Sequence, residues 1–67
     1  MKFIYWRGNP QLPNGGYCMV SDKSYNNYRG YGSFDFIAKF KNKDYEKKFP
    51  KGIDNLSFEQ VLIISKS

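Results

Sequence analysis

No histidine occurs in this chain, and cysteine occurs once, at Cys18. The first absence removes the side chain that most often serves as a general base near neutral pH. Together the two remove the usual zinc ligand sets and the Cys–His nucleophile pair. One cysteine also forbids an intramolecular disulfide, which fits a reducing compartment. On a strand, Cys18 reads as a small buried hydrophobe. Glycine-rich phosphate loops are missing too: Gly30-Tyr31-Gly32 runs into Ser33 and a predicted strand, where a nucleotide loop needs a helix. Asp44 and Glu46, beside Lys43, Lys47 and Lys48, read as surface charge balance rather than a catalytic pair. The expectation is no enzyme, no cofactor and no metal.

Long apolar runs are also absent. The longest aliphatic stretch, Val61-Leu62-Ile63-Ile64, is far below membrane-spanning length. Phe3 to Trp6 is followed at once by Arg7, too soon for the apolar region of a signal peptide. The expected location is cytoplasmic.

Aromatic residues are abundant, at 19% of the 67 residues. A single small domain over residues 1–67 is expected, and a chain of this size buries only about 60% of its unfolded surface. Some rings must therefore lie at the surface or at an interface. Ser24 to Ser33 is the most distinctive segment, with Tyr25, Tyr28 and Tyr31 at every third residue among Asn, Gly, Ser and Arg29. Such a composition suits a contact loop, because tyrosine offers large amphipathic area at low entropy cost and the small polar residues offer adaptable hydrogen bonds.

Net charge is +5, and its distribution is uneven. Residues 39–51 hold six lysines and two acids, a balance of +4. Lys39, Lys41, Lys43, Lys47 and Lys48 would attract an anionic partner, or simply solvate a strand and protect a sheet edge.

Lys2 to Arg7 and Tyr17 to Asp22 read as strands, separated by a Pro- and Gly-rich loop from Gly8 to Gly16. Phe34 to Lys41 alternates, with Phe34, Phe36, Ala38 and Phe40 on one face, and predicts a half-buried antiparallel strand. Asn42-Lys43-Asp44 is of hairpin length, and Tyr45 to Phe49 is expected to pair back. Near the C-terminus, Ser57 and Gln60 fit a capping box, whereas Val61 to Ile64 reads as a buried strand. We expect one helical turn over 56–59 and then a strand over 60–65, with a single C-terminal helix as the rival. The fold class is thus mainly β: a small antiparallel sheet or partly open five-stranded barrel, with a short helical turn or C-terminal helix. An open sheet needs a cover, and a homo-oligomer would supply one.

Two binding functions compete. In the first, Tyr25, Tyr28, Arg29 and Tyr31, with Trp6 and Arg7, form a protein-binding patch of the residue types enriched at hot spots, and the lysines steer an acidic partner. A short Lys/Asn/Tyr/Ile-rich chain of this style is common among bacteriophage accessory proteins. Occlusion of a host protein, including a defence protein, in the host cytoplasm is therefore the leading expectation. In the second, the lysines and Arg29 hold phosphates of a nucleotide or nucleic acid while tyrosines stack on bases. No named RNA-binding signature is present. Alternatively, the tyrosines only cover a thin core.

Overall fold

The computed structural model describes residues 1–26 and 34–67. Three antiparallel strands form an open sheet: β1 (Lys2–Gly8), β2 (Gly16–Ser21) and β3 (Phe34–Phe40). Their order is β2-β1-β3, so β1 is central. Two helices follow, α1 (Asn42–Lys48) and α2 (Phe58–Lys66). The expected small antiparallel sheet with a C-terminal helix is the architecture found; the five-stranded barrel is not.

β1 is central because both of its faces are apolar. Ile4 and Tyr5, adjacent in sequence and on opposite faces, are both fully buried. Ile4 lies in a core of Cys18, Phe49, Ile53 and Val61, with Trp6, Ile37, Phe40, Tyr45, Leu56 and Ile64 packed around it. That is the face the helices cover. Phe3, Tyr5 and Arg7 belong to the opposite face. The β1–β2 connection closes through Asn9 N–H to the Gly15 carbonyl (2.8 Å) and the Asn9 side chain accepting from Gln11 N–H (3.0 Å), an Asx turn that holds the loop without strand pairing. At the other end of this hairpin, Lys2 Nζ meets Asp22 Oδ1 at 2.6 Å. This hydrogen bond raises the Lys2 pKa and lowers that of Asp22.

β3 departs from the simple alternation. Tyr5 pairs with Phe36 and Ile4 with Ala38, which leaves Ile37 as an inserted residue. A bulge of this kind puts two residues opposite one and shifts the facing pattern. Phe34 and Phe36 therefore share the face of Tyr5 and Arg7. Ala38 and Phe40 pair with Ile4 and Lys2 and lie on the helix side. The four do not line one face, as strict alternation requires.

Tyr45 to Phe49, expected as a returning strand, is instead the end of α1 and its C-cap. Tyr45 and Phe49 are four apart, the spacing of one helix face, and their rings pack with centroids 5.4 Å apart. Phe49 also meets Phe40 at 6.3 Å. Asp44 in the first turn and Lys47 and Lys48 in the last complement the helix dipole.

The C-terminal segment is one helix rather than a turn and a strand. Ser57 Oγ accepts from Gln60 N–H at 3.1 Å, and Gln60 Oε1 accepts from Ser57 N–H at 2.9 Å. That reciprocal cap nucleates the helix. Only part of the aliphatic run needs burial: Val61 is fully buried and Ile64 packs beside it, whereas Ile63 is 69% exposed. Spacing of three suits one helical face and explains why β-branched residues did not force a strand. No helix among the described residues is long and apolar enough to cross a membrane.

Candidate functional site

The sheet face opposite the helices is an aromatic cluster centred on Tyr5. The Tyr5 ring meets those of Tyr25, Phe34 and Phe36 edge-on, with centroids 5.9, 5.8 and 5.8 Å away. Tyr25 and Phe34 meet at 5.9 Å. These edge-to-face arrangements are the favoured ones for aromatic pairs. The Tyr5 hydroxyl accepts from Tyr25 N–H at 2.6 Å and donates to the Tyr25 carbonyl at 3.3 Å. One phenol thus fixes the backbone at Tyr25. Replacing Tyr5 with Phe leaves both backbone groups without this partner and is expected to cost about 1–2 kcal/mol. Thermal unfolding measures the loss, and faster amide exchange at Tyr25 locates it.

Around the buried Tyr5, other side chains remain open to solvent: Tyr17 is 50% exposed, Tyr25 46% and Phe36 44%. Arg7 lies over the Phe34 ring, 5.8 Å from its centroid. Arg7, Met19, Tyr25 and Phe34 enclose a shallow hollow of about 220 Å³.

The structure separates residues that the sequence placed together. Arg7 and Tyr25 belong to the aromatic face. Trp6, next to Arg7 in the chain, points to the helix side and packs on Phe58 with centroids 4.8 Å apart. Lys39 pairs with Phe3, so its register places it on the aromatic face. Lys41 is the α1 N-cap, and Lys43, Lys47 and Lys48 ride on α1, in the layer behind the sheet. The lysine hairpin expected beside the tyrosine loop is therefore not formed. Lys48 is tied down, with Nζ 2.7 Å from the Ser67 carbonyl and 5.6 Å from the Phe40 ring centroid. Tyr28, Arg29 and Tyr31 lie outside the described residues.

Sequence reasoning missed Tyr5, Tyr17, Met19, Phe34 and Phe36 as members of this surface. The parity of β1 and β2 could have found the first three, because Phe3-Tyr5-Arg7 and Tyr17-Met19 occupy the positions opposite the Ile4-Trp6 and Cys18 core. No signal marked the bulge that brings Phe34 and Phe36 to join them.

A second concavity, of about 590 Å³, opens on the helix side, between Trp6, Cys18 and the start of α2. Burial pushes the Cys18 thiol up in pKa, which keeps it protonated near neutral pH. No group of three or more acidic or cysteine side chains among the described residues could hold a metal.

Fold and site together define a small β-rich domain, an open three-stranded sheet with helices on one face and aromatic rings on the other. No protein-family model matches the chain, and no curated protein or solved structure is significantly similar to it.

Proposed function

We propose that this chain is a non-enzymatic binding protein that occludes the surface of a protein partner through its aromatic sheet face. The observation that carries the reading is the half-exposed set of Tyr17, Tyr25 and Phe36 around a buried, hydrogen-bonded Tyr5. Contiguous exposed apolar surface of this kind marks interaction sites, and a rigid aromatic base loses little entropy on docking. A host protein blocked by an accessory protein remains the partner class we favour.

The charge distribution argues for protein over nucleic acid. Phosphate recognition needs cations beside the stacking rings. Among the described strand residues, only Arg7 and Lys39 have a register on this face, while Lys43, Lys47 and Lys48 sit in the opposite layer. The rings also meet edge to face, an arrangement that knits them to one another.

Affinity capture with the tagged chain tests this. We expect one stoichiometric protein that survives high salt. Phe36→Lys should weaken its binding by about 30-fold, the effect of losing a hot spot of about 2 kcal/mol. Lys43→Glu with Lys47→Glu should retain it. Salt-sensitive recovery of nucleic acid, abolished by the lysine variants and not by Phe36→Lys, would overturn the reading. Sedimentation of the purified chain completes the test: a dimer dissociated by Phe36→Lys would identify the partner as a second copy.

A further inference from the structure

We propose that the helix-side cleft is a binding site for an organic cation, specifically an alkylated ammonium group. This inference does not rest on the aromatic sheet face, which lies on the other side of the sheet.

The cleft is a pocket of ligand size. Its volume is about 590 Å³, within the roughly 300–1,000 Å³ typical of small-molecule sites. Trp6 and Phe58 supply aromatic wall, and Ile53 supplies aliphatic wall. Trp6 and Phe58 are held together with centroids 4.8 Å apart and rings tilted by 55°, while Phe58 is 37% exposed. The negative face of an aromatic ring attracts a cation, and a poorly hydrated one gives up less solvation to reach it than a compact, strongly hydrated ion.

The charge on the cleft is opposite to that of the chain. The whole protein has 11 basic and 6 acidic residues, yet the lining includes Asp54 and Glu59 and no lysine or arginine. Neither carboxylate is engaged in an ion pair; among the described residues that bond is made by Lys2 and Asp22. The N-terminus of α2 also borders the cleft and would favour an anion. Its dipole amounts to only about half a positive charge, and the capping box already occupies Ser57 N–H and Gln60 N–H. Two full carboxylates outweigh it.

The same ammonium chemistry can arrive as a free small molecule or on a trimethylated lysine side chain of a peptide. Trp6 is the chain's single tryptophan, so its fluorescence reads the cleft directly. The intact chain is titrated with choline, with its neutral isostere 3,3-dimethyl-1-butanol, and with the peptide Gly-Lys(Me₃)-Gly, at matched ionic strength. Choline is expected to saturate with a Kd on the order of 1 mM, and the neutral isostere to bind about tenfold more weakly. Saturation by the peptide as well as choline assigns the side-chain source; saturation by choline alone assigns the free one. Asp54→Asn with Glu59→Gln should weaken choline about tenfold, and Phe58→Leu about fivefold. Both variants are checked for an intact fold by circular dichroism. Equal binding of choline and its isostere, no saturation by choline, or wild-type affinity in the folded Asn/Gln variant would each overturn the proposal.

Discussion

Replacing Ile4 with Ala is expected to remove about 3 kcal/mol of stability, a large share of what a chain this small possesses. Ile4 is fully buried at the middle of the central strand, with Val20 and Ala38 as its cross-strand partners and Phe49, Ile53 and Val61 in the core it joins. A domain of this length has roughly 3–10 kcal/mol in total, at 0.05–0.15 kcal/mol per residue. The cavity cannot collapse easily, because β1 is clamped by hydrogen bonds on both edges. At about 4–8 °C per kcal/mol, the thermal midpoint should fall by roughly 12–24 °C. Ile63→Ala is the matched control. Its side chain is 69% exposed, so the same chemical change should alter stability by less than about 0.5 kcal/mol. Equal losses at the two positions would show that the core is not centred on β1.

Gly16→Ala is the second large effect, and here the backbone is the cause. A Cβ on Gly16 would stand 2.2 Å from the Arg7 carbonyl oxygen and 2.8 Å from Cζ2 of Trp6. The φ of Gly16 is +150°, in the region that side-chain-bearing residues rarely adopt. The Arg7 carbonyl belongs to the central strand and cannot retreat without disturbing pairing on its other edge to Phe34. Strain of about 1–3 kcal/mol for the backbone adds to a similar overpacking cost, so about 3 kcal/mol or more should be lost. Trp6 emission should shift as the indole is displaced from Gly16. Gly15 separates the two causes. Its φ is also positive, at 76°, but nothing lies within 4 Å of its Cβ position. Gly15→Ala should therefore cost only the left-handed strain, about 1–2 kcal/mol. A Gly16→Ala loss no greater than that of Gly15→Ala would refute the close approach.

The first two strands were legible almost to the residue. Their β-branched and aromatic residues sit between strong breakers, and Gly8 and Gly16 mark both ends of the loop. The capping box was legible as well, though the aliphatic run behind it pulled the expectation toward a strand. What misled was local ambiguity. Tyr45 and Phe49 satisfy a period of two and a spacing of four equally well, and only packing on Phe40 selects the helix. Likewise, no local preference marks Ile37 as an inserted residue; the bulge exists because β3 must present Phe34 and Phe36 to Tyr5 and Ala38 and Phe40 to the helix side.

The candidate site was legible in kind but not in membership. Tyr25 and Arg7 do join an aromatic surface, while Trp6, one residue before Arg7, belongs to the other face by simple strand parity. The lysines were misplaced because their position depended on a hairpin that is a helix. The cleft beneath Trp6 left no mark in the sequence, since Trp6, Asp54, Phe58 and Glu59 come together only through tertiary contact.

Taken by itself, the amino-acid sequence determined that this is a small, basic, aromatic-rich, predominantly β chain without histidine, disulfide or recognisable catalytic motif. It also determined where the first hairpin turns and where the last helix is capped, because those depend on residues a few positions apart. The tertiary structure decided which rings meet and on which side of the sheet each charge falls. Those outcomes hang on the central position of β1, the bulge at Ile37 and the packing of α1. All three are settled by burial between residues far apart in the chain, which local preference does not encode.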